Sequence, residues 1–455
     1  MPSTAHRVAP GPRGHYLVGN VPELRDDPLR LFIECGLEFG DVVRLHLGPI
    51  TAHLVRHPDG VKHVLQDNNK NYGRQTRGFE ALRETLGNGL ITSEGSFWQR
   101  QRRIAQPGFH RQRIAGFAAI MVESATAMVE RWAARGASAG QPDRIDLTPE
   151  LLRVTLRILG LSMFGLDLSD DAEAIGRAVT VVLEATRTSI TSILEIPRFI
   201  PTPANRRFLE ALATIDRVTL GLIAERRAGG ASKDDLLSML LDARDEETGE
   251  GMTDRQLRDE LVTILGAGHE TTSMALSWTA VLLSRHPGVR RKLEAELDVV
   301  LAGRAPGFSD IPKLQYTRMV LEEAMRLYPP AWIVGRNAID DDEIGGYPIP
   351  AGSLVFVSPW VTHRHPGLWD NPEGFDPERF APGADEARPR YAYFPFGGGP
   401  HLCIGNSFAM MEATLVLATV AQRFHMDLVP GHPVEPEPMI TIRPRHGVMV
   451  SLRRR

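Results

Sequence analysis

The chain has 455 residues, 42% of them hydrophobic and 24% charged, with a formal net charge of −4. This is ordinary globular composition with material for a large core, and the slightly acidic balance argues against a dedicated nucleic-acid binder. Two cysteines, Cys35 and Cys403, exclude a disulfide framework and fit a reducing compartment.

The first twenty residues mix Pro, Gly and charge, and no stretch of the chain reaches about eighteen uninterrupted apolar residues. The expectation is a cytoplasmic protein with neither signal peptide nor membrane anchor. No linker, repeat or low-complexity tract divides the chain, so a single domain over residues 1–455 is expected. Val42–Gly48 and Ala52–His57 read as strands around a Gly-Pro turn. From Arg111 to Arg326 good helix formers recur at three- and four-residue spacing, with Pro and Gly at the breaks. The segments SLVFVS, MITIR and GVMVSLR near the C-terminus are short and β-branched. Asp370–Arg390, rich in Pro, Gly and charge, is long for a structureless connection and reads as a functional loop. The class is mostly α with a minor β region whose strands lie far apart in sequence.

One helix stands out. Thr253-Asp-Arg-Gln256 fits a capping box, and the helical pattern then runs for about thirty residues to Pro287. Its middle holds Gly266 and Gly268, each costing roughly 1 kcal/mol against alanine. Ile264, Ala267, Gly268, Thr271 and Ala275 fall on one small-sided stripe. Either another helix packs on the glycines, or something flat or small approaches the backbone there. Thr271 and Thr272 can also bond back one turn and bend the helix.

Cys403 sits in FGGGPHLCIG, just before a helix of about twenty residues. A thiolate gains there from the helix dipole and free N–H groups. Gly397, Gly398 and Gly399 leave room for a large planar partner, and Gly405 lets backbone approach the sulfur. A reactive or metal-ligating cysteine and a buried structural one both fit. The absence of a second nearby Cys or a spaced His pair argues against zinc, and the loop lacks the Gly-Lys-Ser/Thr ending of a phosphate loop.

Phe396, Gly399, Cys403 and Gly405 match the haem-binding signature of the cytochrome P450 family, Phe-x-x-Gly-x-Arg-x-Cys-x-Gly. Ala267-Gly-His-Glu270-Thr271-Thr272 resembles the family's oxygen-binding motif. Glu323-Ala-Met-Arg326 resembles its Glu-x-x-Arg pair, and Pro377-Glu-Arg379-Phe380 the segment whose arginine joins that pair. Trp98-Gln-Arg-Gln-Arg102 resembles the helix that meets a haem propionate. The resemblance covers nearly the whole chain in the family's order, and implies the P450 fold: a helical core, a long central helix and small antiparallel sheets. It departs at one place, where His401 stands for the usual arginine. Histidine still donates to a propionate, but its charge depends on pH.

The resemblance further implies haem b with Cys403 as thiolate ligand. Trp98, Arg102, Ala267, Arg336, Phe396, Gly397, His401 and Gly405 would contact it, with Arg102 and Arg336 on the propionates and His401 assisting. Glu270 and Thr271 would relay protons for oxygen activation; for Glu270 the plain alternative is a structural salt bridge. Glu323, Arg326 and Arg379 would be structural. An intact acid–alcohol pair implies a monooxygenase using O2 and electrons from a separate ferredoxin or flavodoxin with its reductase, because about fifty residues follow Cys403 and leave no room for a fused reductase. Trp98–Arg113 carries five arginines and no acid, either a docking face for an acidic partner or a solvated surface.

The family's substrate-facing regions here present Phe79, Leu82, Leu86, Ile91, Ile193, Leu194, Phe199, Ile264, Ala267, Trp332, Ile333, Val334 and Ile440, an apolar lining for a hydrophobic small molecule. Hydroxylation of a fatty acid or a terpenoid in secondary metabolism is expected, with macrolide, polyketide and steroid scaffolds as alternatives. Arg74 and Arg77 would either clamp a fatty-acid carboxylate or simply be exposed. The chain is expected to act as a monomer. A haem-thiolate sensor or carrier, and an isomerase or dehydratase needing no external electrons, are the readings from other classes.

Overall fold

The computed structural model describes residues 8–136, 143–167, 172–191, 196–229, 235–245, 247–384, 386 and 388–455. The site is framed by helices α1 (Arg77–Leu86), α2 (Gly95–Ala105), α3 (Ala118–Gly136), α4 (Leu147–Leu159), α5 (Ala172–Thr191), α6 (Asp254–Arg285), α7 (Gln315–Leu327) and α8 (Asn406–Ala421). α6 is the long central helix. Its capping box closes in both directions, Gln256 N–H to Thr253 Oγ1 at 3.2 Å and Thr253 N–H to Gln256 Oε1 at 2.9 Å. Every residue from 257 to 283 is buried except Gly266, Ala267, Gly268 and Thr271. A helix buried all round needs neighbours on every side, and α1, α4, α7 and α8 supply them.

α4 crosses at the glycines. A Cβ on Gly268 would stand 2.9 Å from Leu159 Cδ1, and the Thr155 hydroxyl donates to the His269 carbonyl at 2.9 Å. Gly268 therefore serves helix packing, the plainer of its two readings. α8 is buried along nearly its whole length and packs on α3, α6 and α7. It stops after 16 residues, shorter than expected, because Phe424–Leu428 pairs with Met449–Arg454.

Strands from both ends of the chain meet in one five-stranded sheet. Its order is β1 (Val42–Leu47), β2 (Ile50–Val55), β5 (Leu354–Val357), β4 (Val334–Ala338) and β3 (Tyr72–Gly73). One pair departs from the antiparallel pattern: β2 and β5 run parallel. A parallel pair requires a crossover, and most of the helical core forms it. Farther on, β6 (Pro436–Pro438) pairs with β7 (Ile442–Pro444), so only the end of MITIR is strand. Among the described residues no helix is long and apolar enough to cross a membrane.

Candidate active site

The cysteine loop folds on itself before α8 begins. The Cys403 N–H donates to the Phe396 carbonyl at 3.0 Å, Leu402 N–H to Gly399 at 3.2 Å, and Ala409 N–H to Gly405 at 2.9 Å. The Cys403 side chain is exposed, yet the surrounding protein desolvates it and pushes its pKa up, against the pull of the Gly405 N–H and Arg102. Desolvation of this kind disfavours the free thiolate. The three glycines divide their roles. Gly397, at φ 73°, has no atom within 4 Å of where its Cβ would be. A Cβ on Gly398 would collide with Tyr391, and one on Gly399 with the Leu65 carbonyl. Of the expectation that all three clear a place for a planar partner, Gly397 alone fits. The Tyr391 hydroxyl fastens the loop, accepting from Gly399 N–H at 3.0 Å and donating to Gln66 Oε1 at 2.9 Å.

α6 forms the facing wall. Ala267 and Thr271, one turn apart, are partly exposed within the otherwise buried length, and the Thr271 hydroxyl donates to the Ala267 carbonyl at 2.7 Å. Glu270 is buried and turned toward the β6–β7 hairpin. Its Oε1 accepts from Thr441 Oγ1 and from Arg443 Nε, each at 2.6 Å. Sequence reasoning named neither partner; Arg443 was visible only as one residue of a short β-branched segment.

A cationic end completes the site. β3 and β4 pair antiparallel with Tyr72 opposite Ala338 and Gly73 opposite Asn337. Arg74 follows β3 directly, and Arg336 lies within β4. Both are buried, at 7% and 6% exposure, so the reading of Arg74 as exposed is overturned. Arg74 donates to the carbonyls of Leu90 at 3.2 Å and Ile91 at 2.7 Å, and its backbone N–H to Glu94. Its Nε has no partner among the described residues. Burial lowers Arg74 to about 9, helped by Arg336, and lowers Arg336 to about 10; Glu94 opposes both. The Phe79 ring lies near both, 5.3 Å and 5.7 Å from their guanidinium carbons. His401 packs tilted against Trp98, ring centroids 4.0 Å apart, and its Nδ1 has no partner among the described residues. Burial and then Arg74, Arg336 and Arg102 hold His401 down to about 2, so its ring is neutral. Arg102 bonds Gln106 at 2.9 Å and the Leu402 carbonyl at 3.0 Å, bracing α2 against the cysteine loop. Buried cations in excess of their one carboxylate call for an anionic group. A flat group bearing two carboxylates and a metal for the sulfur answers the thiol, the small-sided wall and the cations together, so the residues fit haem.

The family model for cytochrome P450 matches residues 9–450. The chain belongs to the cytochrome P450 family. It is 39% identical to cyclooctatin synthase of Streptomyces melanosporofaciens, covering 96% of this chain and 93% of that protein. It is 37% identical to cyclooctat-9-en-7-ol 5-monooxygenase of the same organism, over 91% and 88% of the two chains. Pentalenene oxygenase of Streptomyces avermitilis is 33% identical, over 94% and 93%. This P450 is accordingly a monooxygenase, and its family works with haem on a cysteine thiolate, with O2 and with redox partners.

Other expected residues fall as follows. Glu323 and Arg326 form a fully buried two-point ion pair at 2.7 and 2.8 Å, with Arg379 Nε 3.4 Å from Glu323. Arg326 also donates to the carbonyls of His363, Pro372 and Gly374, tying α7 to the Asp370–Arg390 loop. Leu86 reaches Gly266 of α6, and α1, which also carries Leu82, packs on α5. The Trp332 ring packs on Phe32, and its N–H donates to the Met439 carbonyl at 3.0 Å, so it supports the pocket from the core beside half-buried Ile333 and Ile440. Ile91 is half-buried and Ile264 buried on α6. Phe199 is 84% exposed and lines nothing here; Ile193 and Leu194 lie outside the described residues. In the basic stretch, Arg103 pairs with Asp245 and Glu247 at 2.8 and 3.1 Å, and Arg100 bonds the Glu250 and Gly251 carbonyls. The stretch is therefore less bare than its sequence suggests.

Proposed function

We propose that this P450 hydroxylates a cyclic terpenoid in secondary metabolism, acting in the cytoplasm as a single-domain monomer over residues 1–455. The observation that carries the choice of substrate is the state of Arg74. A fatty acid would want a cation for its carboxylate, and Arg74 is instead buried on the carbonyls of Leu90 and Ile91. What remains toward α6 is apolar and suited to a hydrocarbon skeleton. Two relatives are named for cyclooctat-9-en-7-ol and for pentalenene, which agrees with that reading.

Haem b bound at Cys403 supplies oxygen activation, favoured by the thiolate's electron donation. Arg336 and Arg102, with His401 assisting, form the cationic end, and the Trp98 ring packs against His401. Phe396, Gly397 and Gly405 shape the sulfur side, and the Gly405 N–H moderates the thiolate charge. Ala267 keeps the α6 wall low. Thr271 Oγ1 moves a proton into the site, and Glu270 replenishes it through Oε2, because Thr441 and Arg443 both engage Oε1. Electrons come from an acidic ferredoxin, with its reductase, that docks on the α2 side of the cysteine loop.

The test is titration of the ferric protein with cyclic terpene hydrocarbons and alcohols, fatty acids and steroids, followed by turnover with a surrogate ferredoxin and labelled O2. A low- to high-spin shift and one labelled oxygen in a terpenoid product support the assignment. Spin shift and product with a fatty acid or steroid alone overturn it.

A further inference from the structure

We propose that Glu260 and Thr263 on α6 hold a hydroxyl already present on the substrate, so that the preferred ligand is a cyclic terpenoid alcohol rather than the bare hydrocarbon, an inference that rests on the terpenoid reading above.

Consecutive residues of α6 fasten the turn between α1 and α2. Arg258 donates to the Thr85 carbonyl at 3.1 Å, Asp259 accepts from Asn88 N–H at 2.8 Å, and Glu260 Oε2 accepts from Leu90 N–H at 3.1 Å. Glu260 is fully buried, and its Oε1 has no partner among the described residues. Burial pushes its pKa up to about 8 against the Leu90 N–H, and Asp259 adds to the rise. At neutral pH the carboxyl therefore keeps its proton. With Oε2 accepting, Oε1 is a hydroxyl donor that lacks an acceptor.

One turn on, Thr263 repeats the pattern. Thr271, Thr272 and Thr279 of α6 each donate back to the carbonyl one turn earlier. The Thr263 hydroxyl does not; it is buried and has no partner among the described residues. A Cβ on Gly89 would collide with it, so only glycine lets the turn lie against this hydroxyl. Two orphaned polar atoms one turn apart call for a shared polar partner. Neither atom meets solvent, so the partner comes from inside the fold. Glu260, Ile264, Ala267 and Thr271 follow one another at helical spacing, which puts Glu260 on the stripe that forms the wall of the site. One hydroxyl answers both groups, accepting from Glu260 and giving its own proton to Thr263. Glu260 and Ala267 are two turns apart, about 10 Å along the helix. The oxygen so held is remote from the carbon being oxidised, which suits a rigid polycyclic skeleton. An earlier oxygenation, or a cyclisation ended by water, must supply that hydroxyl.

The experiment compares cyclic terpenes that share a skeleton and differ by one hydroxyl: cedrol with cedrane, and phyllocladanol with phyllocladane. Dissociation constants are read from the ferric spin-state shift for wild type, Glu260→Leu, Glu260→Gln and Thr263→Val. The wild type is expected to bind each alcohol about tenfold tighter than its hydrocarbon. Glu260→Leu should bring that ratio near one, and Thr263→Val should lower it about threefold. Glu260→Gln, which keeps a donor, should retain most of it. A merely structural role would weaken both members of a pair and leave the ratio alone. Hydrocarbons bound as tightly as alcohols by the wild type, or a ratio untouched by Glu260→Leu and Thr263→Val, overturns the proposal while the terpenoid assignment stands. A spin shift with no terpenoid of either kind removes the terpenoid reading and the inference with it. Should Glu260→Leu fail to fold, Thr263→Val, which loses only a hydroxyl, decides: a lowered ratio supports the proposal and an unaltered one refutes it.

Discussion

Glu270 and Arg443 share a 2.6 Å ion pair that crosses from the middle of α6 to β7, and Thr441 donates to the same carboxylate oxygen. The pair ties the hairpin bearing Ile440 to the helix wall next to Thr271. It also poses a test, since a proton relay and a structural bridge predict different losses. Glu270→Gln keeps an acceptor for Thr441 and Arg443 but cannot pass a proton. Turnover is expected to fall by roughly 10²-fold with the haem spectrum and melting temperature little changed. A drop in melting temperature with turnover per folded molecule preserved would assign Glu270 to structure alone.

Thr271 stands one turn from Ala267 in the exposed window of α6. Replacing it with alanine is expected to leave electron consumption near normal while product falls and hydrogen peroxide rises. The quantity to measure is product formed per NADPH oxidised. A ratio equal to wild type rules out the hydroxyl as the last proton donor.

Cys403 is desolvated as a thiol, so thiolate character depends on what its sulfur binds. The reduced carbon-monoxide complex of the wild type is expected to show the strongly red-shifted Soret band of thiolate ligation, and Cys403→Ala to lose it. A wild-type band at the position of histidine- or thiol-ligated haem would remove the basis for oxygen activation.

Glu323 and Arg326 are both fully buried, and Arg326 satisfies three carbonyls besides its carboxylate. Removing one partner of such a pair typically costs 3–5 kcal/mol, roughly. Glu323→Ala should lower the urea midpoint steeply and yield protein that fails to retain haem. Joint replacement by Leu and Met should not rescue it, because the carbonyls of His363, Pro372 and Gly374 stay orphaned. Recovery to wild-type stability would show that the charges, not the carbonyl bonds, make the site matter.

Asp342 anchors the strand that precedes Arg74. It accepts from Tyr72 at 2.6 Å, His63 at 2.7 Å and Asn68 at 3.0 Å. Burial raises its pKa, but these bonds outweigh it and bring it to about 2. A carboxylate depressed in the folded state stabilises above its unfolded pKa, and the benefit disappears as pH falls from about 4 to about 2. Asp342→Asn should therefore cost about 1 kcal/mol at neutral pH, after solvent screening. The difference from wild type should shrink toward zero across that acid window. A constant difference at all pH values would place its origin in packing.

Local patterns were legible where one segment suffices. The capping box at Thr253 and Gln256 and the small-sided stripe around Ala267 needed only helix geometry, and α6 has both. The glycine-rich loop announced that backbone must come close, but not to what. Gly399 meets the Leu65 backbone and Gly268 meets Leu159, partners far off in sequence. Arg74 was illegible for the same reason: it is buried on the carbonyls of Leu90 and Ile91, more than fifteen residues away in sequence. Phe199 failed in the other direction, because apolar character in a loop does not say which way the residue faces.

The five-stranded sheet makes the cationic end of the site a late event in the life of the chain. β3 has no partner until β4 is made, and β2 has none on its open side until β5 follows; Cys403 comes later still. Synthesis proceeds from the N-terminus, and pairings of such separation are slow to form. The helices between can therefore gather while β3 still lacks β4 beside it. Cofactor capture waits for Cys403, after the last of these strands, and until β5 arrives β2 presents a free edge to other chains.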